Sequence, residues 1–140
     1  MESQFRELCG RYFGFLVDDY SFKLDSDDSD TMLFRGDSVE IKITDCQMNE
    51  VSVHIQSNQP DRKDGAQSFL IENVLEAKTG KIQPLIEGIP DLPLGQLNIE
   101  TQLEYYAAAL RAYAEDVLQG NLSIFVEIDA LNHKARRNDE

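Results

Sequence analysis

Residues 39–57, VEIKITDCQMNEVSVHIQS, decide the fold of this chain, because apolar and polar side chains alternate in two short runs within them. The odd-numbered positions of 39–43 and of 51–55 are all Val or Ile, whereas the positions between them are polar or charged. Alternation with a period of two is typical of a β-strand that buries one face. Asn49 and Glu50 supply turn residues between the runs, so the sequence predicts an antiparallel pair of strands.

Strand signals on both sides of this pair extend the predicted sheet. The short apolar run 31–35 is joined to the first strand by the turn Gly36-Asp37, which is typical of a hairpin. Alternating apolar residues at 20–24 predict a further strand, and 68–71 is consistent with one that runs into a short helix. We therefore expect an antiparallel meander of three to four strands from about residue 20 to 72.

Helices are predicted at both ends of the chain. Apolar residues recur at spacings of three and four from Phe5 to Leu16, which predicts a helix over 3–17 that the pair Asp18-Asp19 interrupts. The same spacing predicts a long helix over 101–118, which Gly120 ends.

The start of the long helix and the structure of the tail each allow two interpretations. Thr101 and Glu104 have the spacing of a capping box, and Asn98 is the alternative cap. The tail 122–137 fits both a strand and a helix stripe, and its good helix formers favour a short final helix.

The connection 79–95 contains Gly and Pro residues that exclude a long regular element, yet it also carries six Ile and Leu side chains. A flexible linker is usually polar, so we expect this connection to pack across the surface of one domain that spans 1–140. The separate grouping of strands and helices predicts the α+β class, with an N-terminal helix, an antiparallel meander, a long C-terminal helix and a short final helix.

The balance of 26 acidic against 13 basic residues gives a net charge of −13, which disfavours binding to nucleic acid and to anionic membranes. Such a field attracts a basic protein partner. Ten acidic and three basic residues lie between positions 18 and 50, so −7 of the net charge falls there. The candidate binding surface consists of acidic residues in and around the first hairpins, namely Asp25, Asp27, Asp28, Asp30, Asp37 and Glu40.

The acidic run at Asp25 is not a calcium loop, because Asp30 stands where such a loop needs Gly and Gly36 stands where it needs Glu. The candidate proton carriers are His54, expected on the polar face of its strand beside Lys42, and His133, four residues after an Asp. Motifs for nucleophiles, phosphate loops and metal sites are missing, so the sequence favours a non-catalytic binding module without a cofactor or metal; a small hydrolase is the alternative.

Nothing in the sequence directs the chain out of the cytoplasm, since it has no apolar run of about 20 residues and no secretory signal. The two cysteines, Cys9 and Cys46, have no CxxC spacing, and reduced thiols are expected in that compartment. Both a monomer and a homodimer are compatible with the sequence.

Two stretches of the chain resemble a group of small bacterial proteins. These are the opening FLVDDYSF at 15–22 and the helix-to-turn segment from Leu103 to Phe125, with Ser21 and Asn121 where that pattern has Gly and Asp. Some members of the group resemble immunity proteins that neutralise secreted toxins, so the resemblance implies stoichiometric inhibition of a protein partner. The acidic chaperones of bacterial type III secretion are also similar in length, charge and first helix, and imply an adaptor instead.

Overall fold

The computed structural model describes residues 4–27, 30–46, 50–57, 68–121, 123–124 and 127–128. The elements with defined bounds in these ranges are five strands, four helices and a 3₁₀ turn at Leu94–Gln96, and residues 123–124 and 127–128 are helical as well. In chain order the elements are α1 (Gln4–Tyr20), β1 (Lys23–Asp27), β2 (Thr31–Arg35), β3 (Val39–Asp45), β4 (Val51–Ser57), β5 (Ser68–Leu70), α2 (Ile71–Thr79), α3 (Ile99–Tyr113) and α4 (Glu115–Leu118).

The five strands form one antiparallel sheet in the order β1-β2-β3-β4-β5, which confirms the α+β class and the meander. Ile41 is central to the register, because it pairs with Phe34 of β2 and with Ile55 of β4. All three side chains are buried on the face that the helices cover. The sheet has five strands, whereas three to four were predicted, because β1 and β5 both pair with the central strands.

The first helix continues beyond its predicted end and includes Tyr20, so the strand predicted at 20–24 begins only at Lys23 and continues to Asp27. The Tyr20 ring packs edge-on against Phe15 at 6.1 Å, which stabilises the last turn of α1. Ser21 then takes the left-handed conformation with φ 61, and β1 starts at Lys23. Asp18 and Asp19 do not end the helix, because its polar face is free to carry charged side chains.

The close approach of the α1–β1 connection to the β2–β3 turn requires a glycine. Phe22 is 3 % exposed, and a Cβ atom on Gly36 would lie 2.7 Å from the Phe22 ring. The ring therefore fills the space that a larger residue at position 36 would need. This contact joins the α1–β1 connection to the β2–β3 turn.

The C-terminal helix begins at the second of the two predicted caps. The Asn98 side chain accepts a hydrogen bond from the Thr101 N–H at 2.8 Å, as an N-cap residue does. The predicted continuous helix 101–118 is in fact two helices, because Ala114 (φ −122, ψ 20) breaks it between α3 and α4. Residues 123–124 and 127–128 are helical, as the preferred interpretation of the tail predicts, and 129–137 lie outside the described residues.

The connection between α2 and α3 packs against the core, as predicted. Ile86, Ile89 and Leu94 are partly buried against the core cluster. The Tyr105 hydroxyl donates to the Pro84 carbonyl at 2.7 Å and thereby holds the connection to α3.

Gln102 is a buried polar residue that links three parts of the fold. Its side chain is 1 % exposed, accepts a hydrogen bond from the Val51 N–H at 3.2 Å and donates to the Leu97 carbonyl at 2.8 Å. The amide thus bonds one backbone N–H and one backbone carbonyl in the protein interior. It joins α3 to the start of β4 and to the end of the α2–α3 connection.

Replacing Gln102 with Met should destabilise the protein, because Met keeps the volume but satisfies neither backbone group. Each unsatisfied buried group costs roughly 1–3 kcal/mol, so we expect a clear fall in the urea midpoint of unfolding. The exposed Gln96 provides the control, and Gln96→Met should leave the midpoint unchanged. Equal stability of the two variants would show that the Gln102 hydrogen bonds contribute nothing.

Candidate functional site

The topology separates the predicted acidic surface into two regions. Asp25 and Asp27 lie in β1, Asp28 lies outside the described residues, and Asp30 is exposed next to the start of β2. Asp37 is exposed in the β2–β3 turn, at the other end of the sheet. A strand of five residues such as β2 spans about 17 Å, so the two groups of carboxylates cannot act as one compact patch.

Glu40 does not belong to either exposed region, which corrects its assignment to the acidic surface. The residue is only 5 % exposed, and its carboxylate accepts hydrogen bonds from Arg35 Nε and Gln56 Nε2, both at 2.7 Å. These three residues lie in one cross-strand row, because Arg35 pairs with Glu40 and Glu40 pairs with Gln56. The positive charge of Arg35 therefore neutralises the Glu40 carboxylate.

The outer face of β2–β4 carries more basic than acidic side chains. Arg35, Lys42 and His54 lie on this face among the described side chains of these strands, and Glu40 is the acidic residue there. His54 pairs with Lys42 as predicted. Burial and then the charge of Lys42 lower the pKa of His54, so its imidazole is neutral at pH 7.

The clearest concave acidic site lies where α1, the β2–β3 turn and α4 meet. It is an open depression of about 290 Å³. Its lining residues are Asp19, Tyr20, Ser21, Phe22, Asp37, Ser38, Leu118, Gln119 and Gly120, with two carboxylates and no basic residue among them. We call this site the acidic depression.

Both carboxylates of the acidic depression are available to a ligand. Asp19 and Asp37 are exposed, and neither forms an ion pair within the part of the chain that the structure describes. Asp19 also lies in the last turn of α1, where unpaired carbonyl groups form the negative end of the helix dipole. The two carboxylates and the helix end together favour a positively charged group.

Two residues in the left-handed region shape the wall of the acidic depression. Ser21 (φ 61) turns the chain out of α1, and Gly120 (φ 107) turns it after α4. A Cβ atom at Gly120 would lie 3.2 Å from Ser38 Oγ, so the two walls approach closely. Sequence reasoning included Asp37 in the acidic surface but missed Asp19, which lies 18 positions away in the chain and was expected only to end a helix.

Glu72 is a partly buried residue with one buried carboxyl oxygen, which the sequence did not reveal. Its Oε1 atom has no contact with solvent and no hydrogen-bond partner in the described part of the chain. Burial raises the pKa of Glu72, while its own backbone N–H and the nearby Tyr106 hydroxyl oppose that change. Tyr106 donates to the Val51 carbonyl at 3.4 Å, and the pKa of its hydroxyl is raised by burial and by Glu72.

His54 belongs to no metal-binding cluster among the residues that the structure describes. His54 lies beside Lys42, and His133 falls outside the described residues. The described ranges contain no group of three or more His, Cys, Asp or Glu side chains that could hold a metal ion. Burial raises the pKa of Cys9 to about 12, so this thiol stays protonated at neutral pH.

Comparison of the chain with protein-family models, with curated proteins and with solved structures gives no match. None of the helices among the described residues is long and apolar enough to cross a membrane. The chemistry of the exposed surfaces is therefore the basis for any functional conclusion.

The raised pKa of Glu72 predicts a pH-dependent contribution to stability. A carboxyl whose pKa is higher in the folded state favours folding below its unfolded pKa, and this contribution is lost as the pH rises through the folded pKa. Glu72→Gln removes the charge, so it should raise the free energy of unfolding at pH 7.5 more than at pH 4.5. Urea unfolding at both pH values measures the difference.

The control is Glu76→Gln on the exposed face of the same helix, which should change the unfolding free energy equally at both pH values. A Glu72→Gln protein that is less stable than wild type at pH 7.5 would contradict the assignment of Glu72 as a destabilising buried charge.

Proposed function

We propose that this protein is a non-catalytic module that binds a basic protein partner in a one-to-one complex, in the manner of an immunity protein that inhibits a toxin. The observation that carries the proposal is the acidic depression, where Asp19 and Asp37 face solvent beside the negative end of α1. A Lys or Arg side chain of a partner has the charge and the reach to enter such a site and to bond both carboxylates.

The charge of the whole chain supports the same type of partner. A net charge of −13 accelerates the approach of a basic protein and disfavours acidic ones. The acidic residues around β1 and the β1–β2 turn add to this field from the other end of the sheet. They contribute to long-range attraction, whereas the acidic depression provides a concave site for one particular cationic side chain.

The geometry of His54 gives the hydrolase alternative no support. A general base needs a partner that orients it and a pKa near the working pH. His54 instead lies beside Lys42, and its nearest acidic neighbour in the register, Glu40, is already bonded to Arg35 and Gln56.

Charge reversal at the acidic depression tests the proposal directly. Asp19→Lys/Asp37→Lys should weaken the affinity for the basic protein that co-purifies with the wild-type chain by at least about tenfold at low salt. The loss should shrink as the salt concentration rises, because screening weakens the attraction that is removed. Calorimetric titration of the separately produced partner measures both effects.

The matched control is Glu7→Lys/Glu76→Lys, which changes the net charge equally at two exposed positions outside the acidic depression. It should lower the affinity much less. Equal losses in the two variants would mean that net charge, and not this site, determines binding. If the partner is the toxin encoded beside this gene, one equivalent of the wild-type protein should abolish its activity.

A second charge reversal distinguishes the contributions of the two ends of the sheet to binding. It replaces the four acidic residues Asp25, Asp27, Asp28 and Asp30 with Lys. We expect slower association and a smaller loss of affinity, because these residues attract the partner without forming the concave site. A larger loss than that of Asp19→Lys/Asp37→Lys would place the binding surface at the β1–β2 end and contradict the assignment to the acidic depression. Stopped-flow measurements of the association rate, with calorimetric affinities, compare this variant with Asp19→Lys/Asp37→Lys.

A further inference from the structure

The α2–α3 connection exposes more large apolar side chains than any other described segment. We call residues 80–98 the apolar loop. Ile82, Leu85 and Leu92 in this loop are 57 %, 59 % and 43 % exposed, and they are three of the six large hydrophobic residues that the described chain exposes. Exposed apolar groups concentrated in one segment mark an interaction surface more often than single scattered ones do.

Hydrogen bonds within the apolar loop hold it in one conformation. The Gln83 side chain donates to the Leu92 carbonyl at 2.7 Å and joins the two halves of the loop. The Ile89 N–H donates to the Ile86 carbonyl at 3.2 Å and closes the turn between them. The backbone at Leu92 is thereby held beside Gln83, the residue that follows Ile82.

Contacts from α3 fix the apolar loop to the body of the protein. Besides the bond between Tyr105 and Pro84, the Tyr113 hydroxyl donates to the Leu85 carbonyl at 3.0 Å. Both bonds use backbone carbonyls, so the Leu85 side chain remains free to project outwards. A loop that is ordered before binding loses less conformational entropy when a partner covers it.

We propose that the apolar loop inserts Ile82, Leu85 and Leu92 into an apolar pocket of the basic partner protein. The inference rests on the proposed function and identifies its second contact surface. Glu87 and Asp91 are exposed in the loop, while Lys81 is its basic residue. An apolar centre with an acidic rim complements an apolar pocket with a basic rim.

The charge of the chain argues against a second copy of this protein as the occupant. Two copies would each bring a net charge of −13, and the acidic rims of the two loops would face each other. The same repulsion disfavours an anionic membrane. A basic protein is attracted both by the acidic rim of the loop and by the net negative charge of the chain.

The apolar loop and the acidic depression border the same part of the fold. Lys78, at the end of α2 just before the loop, bonds Asp116 of α4 at 2.7 Å. The end of α4 at Leu118 in turn lines the acidic depression. One partner that lies across α4 can therefore contact both surfaces.

Serine substitutions in the apolar loop test the inference. Leu85→Ser/Leu92→Ser should weaken the affinity for the basic partner by about tenfold to a hundredfold, as expected for two Leu side chains that are buried on binding. Both side chains are exposed in the free protein, so the variant should keep the unfolding midpoint of wild type. The matched control, Leu24→Ser/Leu70→Ser, removes side chains that are 46 % and 36 % exposed elsewhere and should bind as wild type does.

A photocrosslinking residue at position 85 identifies the occupant in the native host. A covalent adduct with the same basic protein, absent when the crosslinker is placed at position 70, supports the inference. An adduct with a second copy of this chain, with lipid or with no protein overturns it. If Asp19→Lys/Asp37→Lys weakens binding and Leu85→Ser/Leu92→Ser does not, the loop inference fails alone; if no basic protein binds the wild-type chain, the proposed function itself fails.

Discussion

The rest of the structure depends on the burial of one face of the sheet beneath the helices. Val39, Ile41 and Ile43 of β3 have no exposed surface, and the helices that cover them present residues such as Phe13 and Leu103 that are equally buried. Each such side chain contributes about 1.5–3 kcal/mol when removed from water. A shift of the register by one residue would place all of these side chains on the outer face, so the pairing of the strands is strongly determined.

The one-sided burial also decides where the charged residues lie. In an antiparallel meander successive turns lie at opposite ends of the sheet, so acidic residues that are close in the sequence become separated in space. The sheet's outer face then receives the basic side chains at alternate positions of β2–β4, and Glu40 is bonded among them. The acidic depression exists because α1 continues to Tyr20 and brings Asp19 beside the β2–β3 turn.

Polar groups of α3 have a second role besides covering the sheet. The α2–α3 connection lacks regular structure along most of its length, so its backbone groups need other partners. The hydroxyls of Tyr105 and Tyr113 provide two of them, and Gln102 provides a third at Leu97. The helix thus orders a loop that packs Ile86, Ile89 and Leu94 against the core and leaves Ile82, Leu85 and Leu92 exposed.

Several features of the candidate sites followed from local sequence alone. Asp37 could be identified as exposed and acidic because Gly-Asp is a turn signal between two strand patterns. The Asn98 cap was one of two alternatives that the local sequence offered, and the apolar composition of the α2–α3 connection indicated that it packs on the domain. Asp19 in the acidic depression, the bonded state of Glu40 and the burial of Glu72 were not readable, because each depends on a contact with another element.

The sequence by itself determined the α+β class, the order of the helices and strands, the buried faces of β3 and β4 and the net negative charge. Periodicity and composition carry these properties, because they depend on side chains within one element or on the chain as a whole. Only the tertiary structure decided which carboxylates are free, which are bonded and which apolar residues of the connection remain exposed. These outcomes depend on residues that are far apart in the chain, because burial and hydrogen bonding are set by which of them come into contact in the folded structure.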